Sequence, residues 1–241
     1  MWWDGEPLDL YIGPGHVGAL QAGRLLSWHP WPDPLERLPS LLAEVAGGRA
    51  RWSRRRRLRA WLSGAFARPI LLPAIAGLNG WHEAEAAARA AAQTQWGWAQ
   101  CVAWLQDFPA RQPALAVAVQ SAVISKLHDA ARGSGLRLTS IRPWWALATA
   151  QVHNAGEPQC CAIEDADSLV FLAAAGPAWI EAAAYAPRPS PDQARAILQR
   201  RAVAVLPGGA VPVQRFGSAM VDGVLAPRRL QGVAAEASER R

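Results

Sequence analysis

The sequence predicts an α/β protein of two similar lobes with a small α/β subdomain inserted between them. Three observations lead there. A run of short strands separated by Gly-rich turns opens the chain and is followed by a helix and a further strand; the same succession returns near the end; and between them lies an Ala-rich helix followed by two strand candidates. With 241 residues, 51% of them apolar, the chain has enough material for a sizeable core without staples.

In the first lobe, Leu8 to Gly13 reads as a strand, Pro14-Gly15 as a turn, His16 to Ala22 as the returning strand, and Arg24 to Trp28 as the third strand of a meander. Leu35, Leu38, Leu41, Leu42 and Val45 recur at helical spacing before Gly47-Gly48, and Leu58 to Ser63 alternates as a strand. Residues 1–69 are thus expected as the first lobe and 70–150 as the insert. Within the insert, Trp81 to Trp96 is a helix by its Ala and Gln content, while Trp98 to Leu105 and Ala114 to Gln120 are strands expected to neighbour one another in one small sheet. Val119 to Arg132 follows as a helix closed by Gly133 and Gly135, Leu136 to Ile141 as a strand, and Pro143 as the opening of a short helix to Ala150.

The second lobe, 151–233, carries strands near Gln159 to Ile163, Ser168 to Ala173 and Ala178 to Tyr185, and a helix starting at Ser190-Pro191. Short strands at Ala202 to Leu206 and Val211 to Val213 are expected to complete it. The polar tail 234–241 is expected to fray.

Composition excludes several classes of function. No stretch approaches the roughly 18 uninterrupted apolar residues of a membrane span, and the N-terminus lacks a signal-peptide pattern, which points to the cytoplasm. The three cysteines, Cys101, Cys160 and Cys161, suit neither a disulfide framework nor a metal centre, and the five histidines have no ligand spacing. No metal or cofactor is expected. The net charge of +6 rests on arginine, since Lys126 is the only lysine, and such a bias says little about nucleic acid.

Candidate chemical residues read more simply as structure. Glu83 and Glu85 beside His82 suit the start of a helix better than acid–base catalysis. Ser63 and Ser121 lack interpretable His and Asp companions, and Cys101 sits on an apolar strand. The run from Arg49 to Arg57 is the strongest charge feature: Arg51, Arg54, Arg55, Arg56 and Arg57, with Trp52 as an aromatic anchor, would suit an acidic protein or anionic membrane surface, or else form a solvated loop. Nucleic acid is the less favoured partner, because one basic loop lacks an extended stripe. Trp144-Trp145, and the trio Trp96, Trp98 and Trp104, are candidates for core packing or for a hydrophobic docking face; Trp144 and Trp145 are taken as partner-binding.

The pattern of two meanders, each with a helix and a further strand, resembles the actin-like (ribonuclease H-like) superfamily. The stretch from the Ala-rich helix through Ala114-Leu115-Ala116-Val117-Ala118-Val119 to Gly135-Leu136-Arg137-Leu138 and Ser140-Ile141-Arg142-Pro143 is similar to the inserted subdomain of the PilM and GspL cytoplasmic-domain families. The resemblance implies a first hairpin of the form Asp-x-Gly followed by hydroxylated residues and a Lys, whose amides hold phosphates and whose Asp orients Mg²⁺. Aligning the glycine on Gly13 puts Tyr11 at the acidic position and Gly18 near the lysine; Asp9 lies roughly 6–7 Å further from the turn. In the second hairpin Glu164 keeps a charge, but Ala166 takes the glycine's place. The nucleotide site is therefore expected to be degenerate. The implied function is a non-catalytic cytoplasmic platform of a type IV pilus or type II secretion-like machine, peripheral to the inner membrane, which takes the cytoplasmic tail of a membrane assembly protein. The alternatives are an actin-like ATPase with weak nucleotide binding through Glu164, Asp165 and Gly208-Gly209, and an Arg-rich nucleic-acid binder.

Overall fold

A computed structural model describes residues 7–21, 24–46, 56–152, 158–205, 213–221 and 224–230. The chain opens on an antiparallel meander, β1 (Leu8–Ile12), β2 (His16–Gln21) and β3 (Arg24–Pro30). All five residues of β1 are buried, as befits a strand covered on both faces. Helix α1 (Pro34–Ala46) begins where the Asp33 carboxylate accepts from the Glu36 amide at 3.3 Å, with Pro34 in the first helical position. Its Leu38, Leu41 and Leu42 form the buried stripe anticipated from their spacing. Strand β4 (Arg57–Leu62) then returns parallel to β1.

A second, three-stranded antiparallel sheet interrupts this half. Its order is β5 (Ala67–Leu72), β7 (Ala114–Gln120), β6 (Cys101–Leu105), so the two strand candidates do pair directly. Helix α2 (Trp81–Trp96) lies on this sheet through Ala84, Ala88 and Ala92, spaced one turn apart and small enough for close approach. It ends at Gly97, whose φ of 69° is left-handed and whose amide reaches the Gln93 carbonyl. The chain then rejoins the first half: α3 (Ser121–Gly133) packs Val123, Leu127, Ala130 and Ala131 with the leucines of α1, and β8 (Arg137–Pro143) runs parallel to β4. Part of the 70–150 span therefore belongs to the large sheet. Pro143, expected to open a helix, instead closes β8 opposite Leu62, and α4 (Ala146–Val152) starts three residues later.

The second half repeats the pattern with β9 (Gln159–Glu164), β10 (Leu169–Ala175), β11 (Ala178–Tyr185), α5 (Pro191–Val205), β12 (Val213–Val221) and β13 (Val224–Leu230). Strand β12 runs parallel to β9 just as β4 does to β1, whereas β13 pairs antiparallel with β12. The expected strand at 202–206 is corrected: residues 202–205 are the end of α5, because Ala202 continues the buried face of Ala194 and Leu198. The last two strands are also far longer than the single segment anticipated at 211–213. The ten-stranded sheet has the order β11-β10-β9-β12-β13-β3-β2-β1-β4-β8, its halves meeting at the pairing of Val224 with Arg24. Each half thus shows the same succession with its first strand in the middle, running from edge to interior in the second half (β11-β10-β9-β12-β13) and from interior to edge in the first (β3-β2-β1-β4-β8).

Candidate functional site

Three turns converge where the two halves face one another. The parallel strands β1 and β4 end side by side, so Gly13 to Gly15 and Ser63 to Phe66 are neighbours, and the Ser63 amide donates to the Ile12 carbonyl at 2.8 Å. The third turn, Asp165 to Ser168, joins β9 to β10 in the other half. It reaches across: the Gly64 amide donates to Asp165 Oδ2 at 3.0 Å, and His16 Nδ1 lies 3.1 Å from Asp167 Oδ1.

Asp165 organises this junction. Its side chain accepts from the amides of Asp167 (3.0 Å) and Ser168 (2.6 Å) and from the Ser168 hydroxyl (2.8 Å), besides Gly64. The turn's backbone donors therefore converge on a carboxylate of the chain itself. Burial pushes the Asp165 carboxyl up from 3.8 to about 6, and the hydrogen bonds from Gly64, Ser168 and Asp167 hold it from rising further. Its neighbour Glu164, 5% exposed, is held by two arginines: Arg188 Nη2 at 2.8 Å and Arg215 Nε at 2.7 Å. Arg188 also donates to the Asp165 carbonyl at 3.1 Å, so it clamps the base of the turn. Asp165, Arg188 and Arg215 had little or no prominence in the sequence, since their meaning lies in partners as far as 101 positions away.

The first turn contributes space in place of charge. A Cβ on Gly13 would stand 2.0 Å from Asp167 Oδ2, and one on Gly15 3.0 Å from Asp167 Oδ1, so the glycines admit the facing carboxylate. Gly64 is equally enclosed, 2.4 Å from Val170 Cγ2 and 2.6 Å from Ser168 Oγ by the same measure. At Gly18 a Cβ would meet Trp28 Cε3 at 2.5 Å, so Trp28 occupies the place of any side chain there. Tyr11 stacks on Trp28 with ring centroids 5.5 Å apart and is 1% exposed. Burial first, then the charges of Asp165 and Asp167, push its hydroxyl well above the usual tyrosine range.

Between the turns and the end of the three-stranded sheet lies a cleft of about 660 Å³, lined by Pro14, Gly15, Ala65, Phe66, Arg68, Trp98, Gln120, Ala166, Asp167, Ala186, Pro187 and Arg188. Ala166 thus sits on the cleft wall beside Asp167. The remaining sequence candidates distribute as follows. Trp144 and Trp145 are 1% and 4% exposed: Trp144 packs edge-on to Tyr11 and Trp61, and Trp145 Nε1 donates to the Ala67 carbonyl at 2.7 Å. They build the core, which corrects their assignment to a docking face. Arg51, Trp52, Arg54 and Arg55 lie outside the described residues, as do Gly208 and Gly209. Arg56 accepts through its carbonyl from the Arg137 amide, and Arg57 begins β4 opposite Arg137. Glu83 accepts from the Asn79 amide at 2.8 Å, a bond at the start of α2. Cys101 is 8% exposed in the core of the small sheet, where burial raises its thiol.

No protein-family model matches the chain, and no curated protein is significantly similar to it. Solved structures are more informative. The cytoplasmic domain of EpsL, an inner membrane component of the type II secretion system of Vibrio cholerae, shares 14% identity over 88% of this chain and 82% of that one, with a TM-score of 0.55. The PilM–PilN type IV pilus biogenesis complex matches at 16% identity and a TM-score of 0.51, over 83% of this chain; the match spans only 65% of the length of its counterpart. A Bacteroides thetaiotaomicron protein of unknown function with an actin-like ATPase fold matches at 7% identity and 0.58, over 90% and 83% of the two chains. Together with the repeated strand order around the cleft, these likenesses establish that the chain has the actin-like fold.

Proposed function

We propose that this protein is a non-catalytic assembly-platform subunit of a type IV pilus or type II secretion-like machine, working on the cytoplasmic side of the inner membrane and binding protein partners there. The observation that carries this reading is the state of the turns. Where backbone amides of an actin-like cleft would hold phosphates, those of Gly64, Asp167 and Ser168 are engaged by Asp165, and Asp167 is lodged against Gly13. A polyphosphate would have to displace two carboxylates of the same sign, which is electrostatically unfavourable in a buried setting. Trp28 excludes a lysine-like side chain at position 18, and Tyr11 presents no carboxylate at the end of β1.

The likeness to EpsL, an inner membrane component, and to PilM in complex with PilN supports a role beside a membrane assembly protein. In this reading the ligand is the cytoplasmic tail of such a protein, and the basic run from Arg49 to Arg57 adds contact with anionic lipid or an acidic partner. Among the described residues no helix is long and apolar enough to cross a membrane. Isothermal titration of the full chain with Mg·ATP tests the reading. Absence of binding heat is expected, and micromolar affinity that disappears on Glu164→Gln overturns it in favour of a weak nucleotide binder.

A further inference from the structure

The cleft holds one cation that the turns do not use. Arg68, on the second residue of β5, is half-buried and lies over two indoles, 5.4 Å from the Trp96 ring centroid and 4.9 Å from that of Trp98. Among the described residues its Nε donates one long bond to the Ala65 carbonyl, 3.4 Å, and no carboxylate stands within ion-pair distance of it. Arg188, the other arginine of the cleft, is by contrast already engaged by Glu164. Burial draws the Arg68 guanidinium down from its ordinary value. Indole faces offset only part of the cost of desolvating a cation, so the position is complete only when an anion supplies acceptors for its terminal nitrogens.

We propose that this cleft takes a carboxylate side chain flanked by apolar residues, presented by an extended acidic segment of a partner protein, with Arg68 as its ionic anchor. The proposal rests on the reading of the cleft as free of nucleotide. Charge and shape select this occupant. Arg68 is contributed by the small sheet and Asp167 by the β9–β10 turn, so the cleft lining carries an unpaired cation on one element and an acidic group on another. A single carboxylate can meet Arg68 without approaching the acidic turn, whereas a phosphate chain long enough to fill about 660 Å³ would run against it. Phe66, Trp98, Ala166 and Pro187 provide the apolar surface that flanking residues would cover.

The test uses the full chain and two probes, N-acetyl-Leu-Glu-Leu amide and its Gln counterpart, followed by the indole N–H resonances of Trp96 and Trp98. The Glu peptide should shift both resonances and bind at least about tenfold more tightly than the Gln peptide, a ratio that collapses in Arg68→Gln. Equal binding of the two peptides to the unaltered chain overturns the proposal without any variant. So does no shift from either peptide at 10 mM, roughly the weak end of measurable affinity, or displacement of the Glu peptide by equimolar inorganic phosphate. Failure here with a silent Mg·ATP titration removes the anchor and leaves the platform reading standing; binding of Mg·ATP removes the platform reading itself.

Discussion

The two facing hairpins occupy equivalent places in the two halves yet are built on opposite principles. The β1–β2 turn works by what it lacks: Gly13 and Gly15 have no Cβ, and the room they leave is filled from across the cleft by Asp167. The β9–β10 turn works by what it brings, the Asp165 carboxylate that gathers amides of both halves and the Asp167 carboxylate that faces His16. One half supplies a mould and the other a charge that fits it. Sterics govern changes in the first turn, whereas unsatisfied donors and pH govern changes in the second.

The largest effect is expected at the charged turn. Asp165→Ala leaves the Gly64 amide and the Ser168 amide and hydroxyl buried without their acceptor, and should cost about 3–4 kcal/mol in urea unfolding. Gly13→Ala should cost about 2–3 kcal/mol by overpacking against Asp167, with no dependence on pH between 4 and 6. That contrast in pH behaviour sharpens the comparison. The Asp165 carboxyl is raised from 3.8 to about 6 on folding, so between those values the folded chain holds a proton that the unfolded chain has released. Its contribution to stability is full below 3.8 and is lost as pH rises through about 6; Asp165→Asn should remove this slope from the stability profile. The smallest effect belongs to His16→Ala, whose contact with Asp167 is partly exposed and worth below about 1 kcal/mol. If Gly13→Ala proved harmless, the mould would not be a mould.

These halves were also unequally legible. Strands β1 to β4 and the leucine stripe of α1 follow directly from alternation and helical spacing, because local pattern and tertiary burial agree there. The end of the second half misleads: Ala202 to Val205 alternates like a strand, yet its place on the buried face of α5 decides for helix. Strands β12 and β13 contain Gly217 and Pro227, residue types depleted in strands, and Pro227 stands opposite Ser218 in the pair. At the site, Gly13, Glu164 and Ala166 came into view through the resemblance to the hairpins of the actin-like superfamily. The hold of Asp165 on Gly64, and of Arg215 on Glu164, spans 101 and 51 positions and leaves no local trace. Trp144 and Trp145 illustrate the converse, since exposure cannot be read from an aromatic pair next to a proline; the turn between β8 and α4 carries both indoles into the core.

On the proposed reading, the chain's own carboxylates stand where an actin-like cleft would receive phosphate. Titration calorimetry of the full chain with Mg·ATP tests it most directly. No binding heat is expected up to millimolar nucleotide, in the unaltered protein and in Glu164→Gln alike. A micromolar affinity in the unaltered protein that is lost in Glu164→Gln would contradict it.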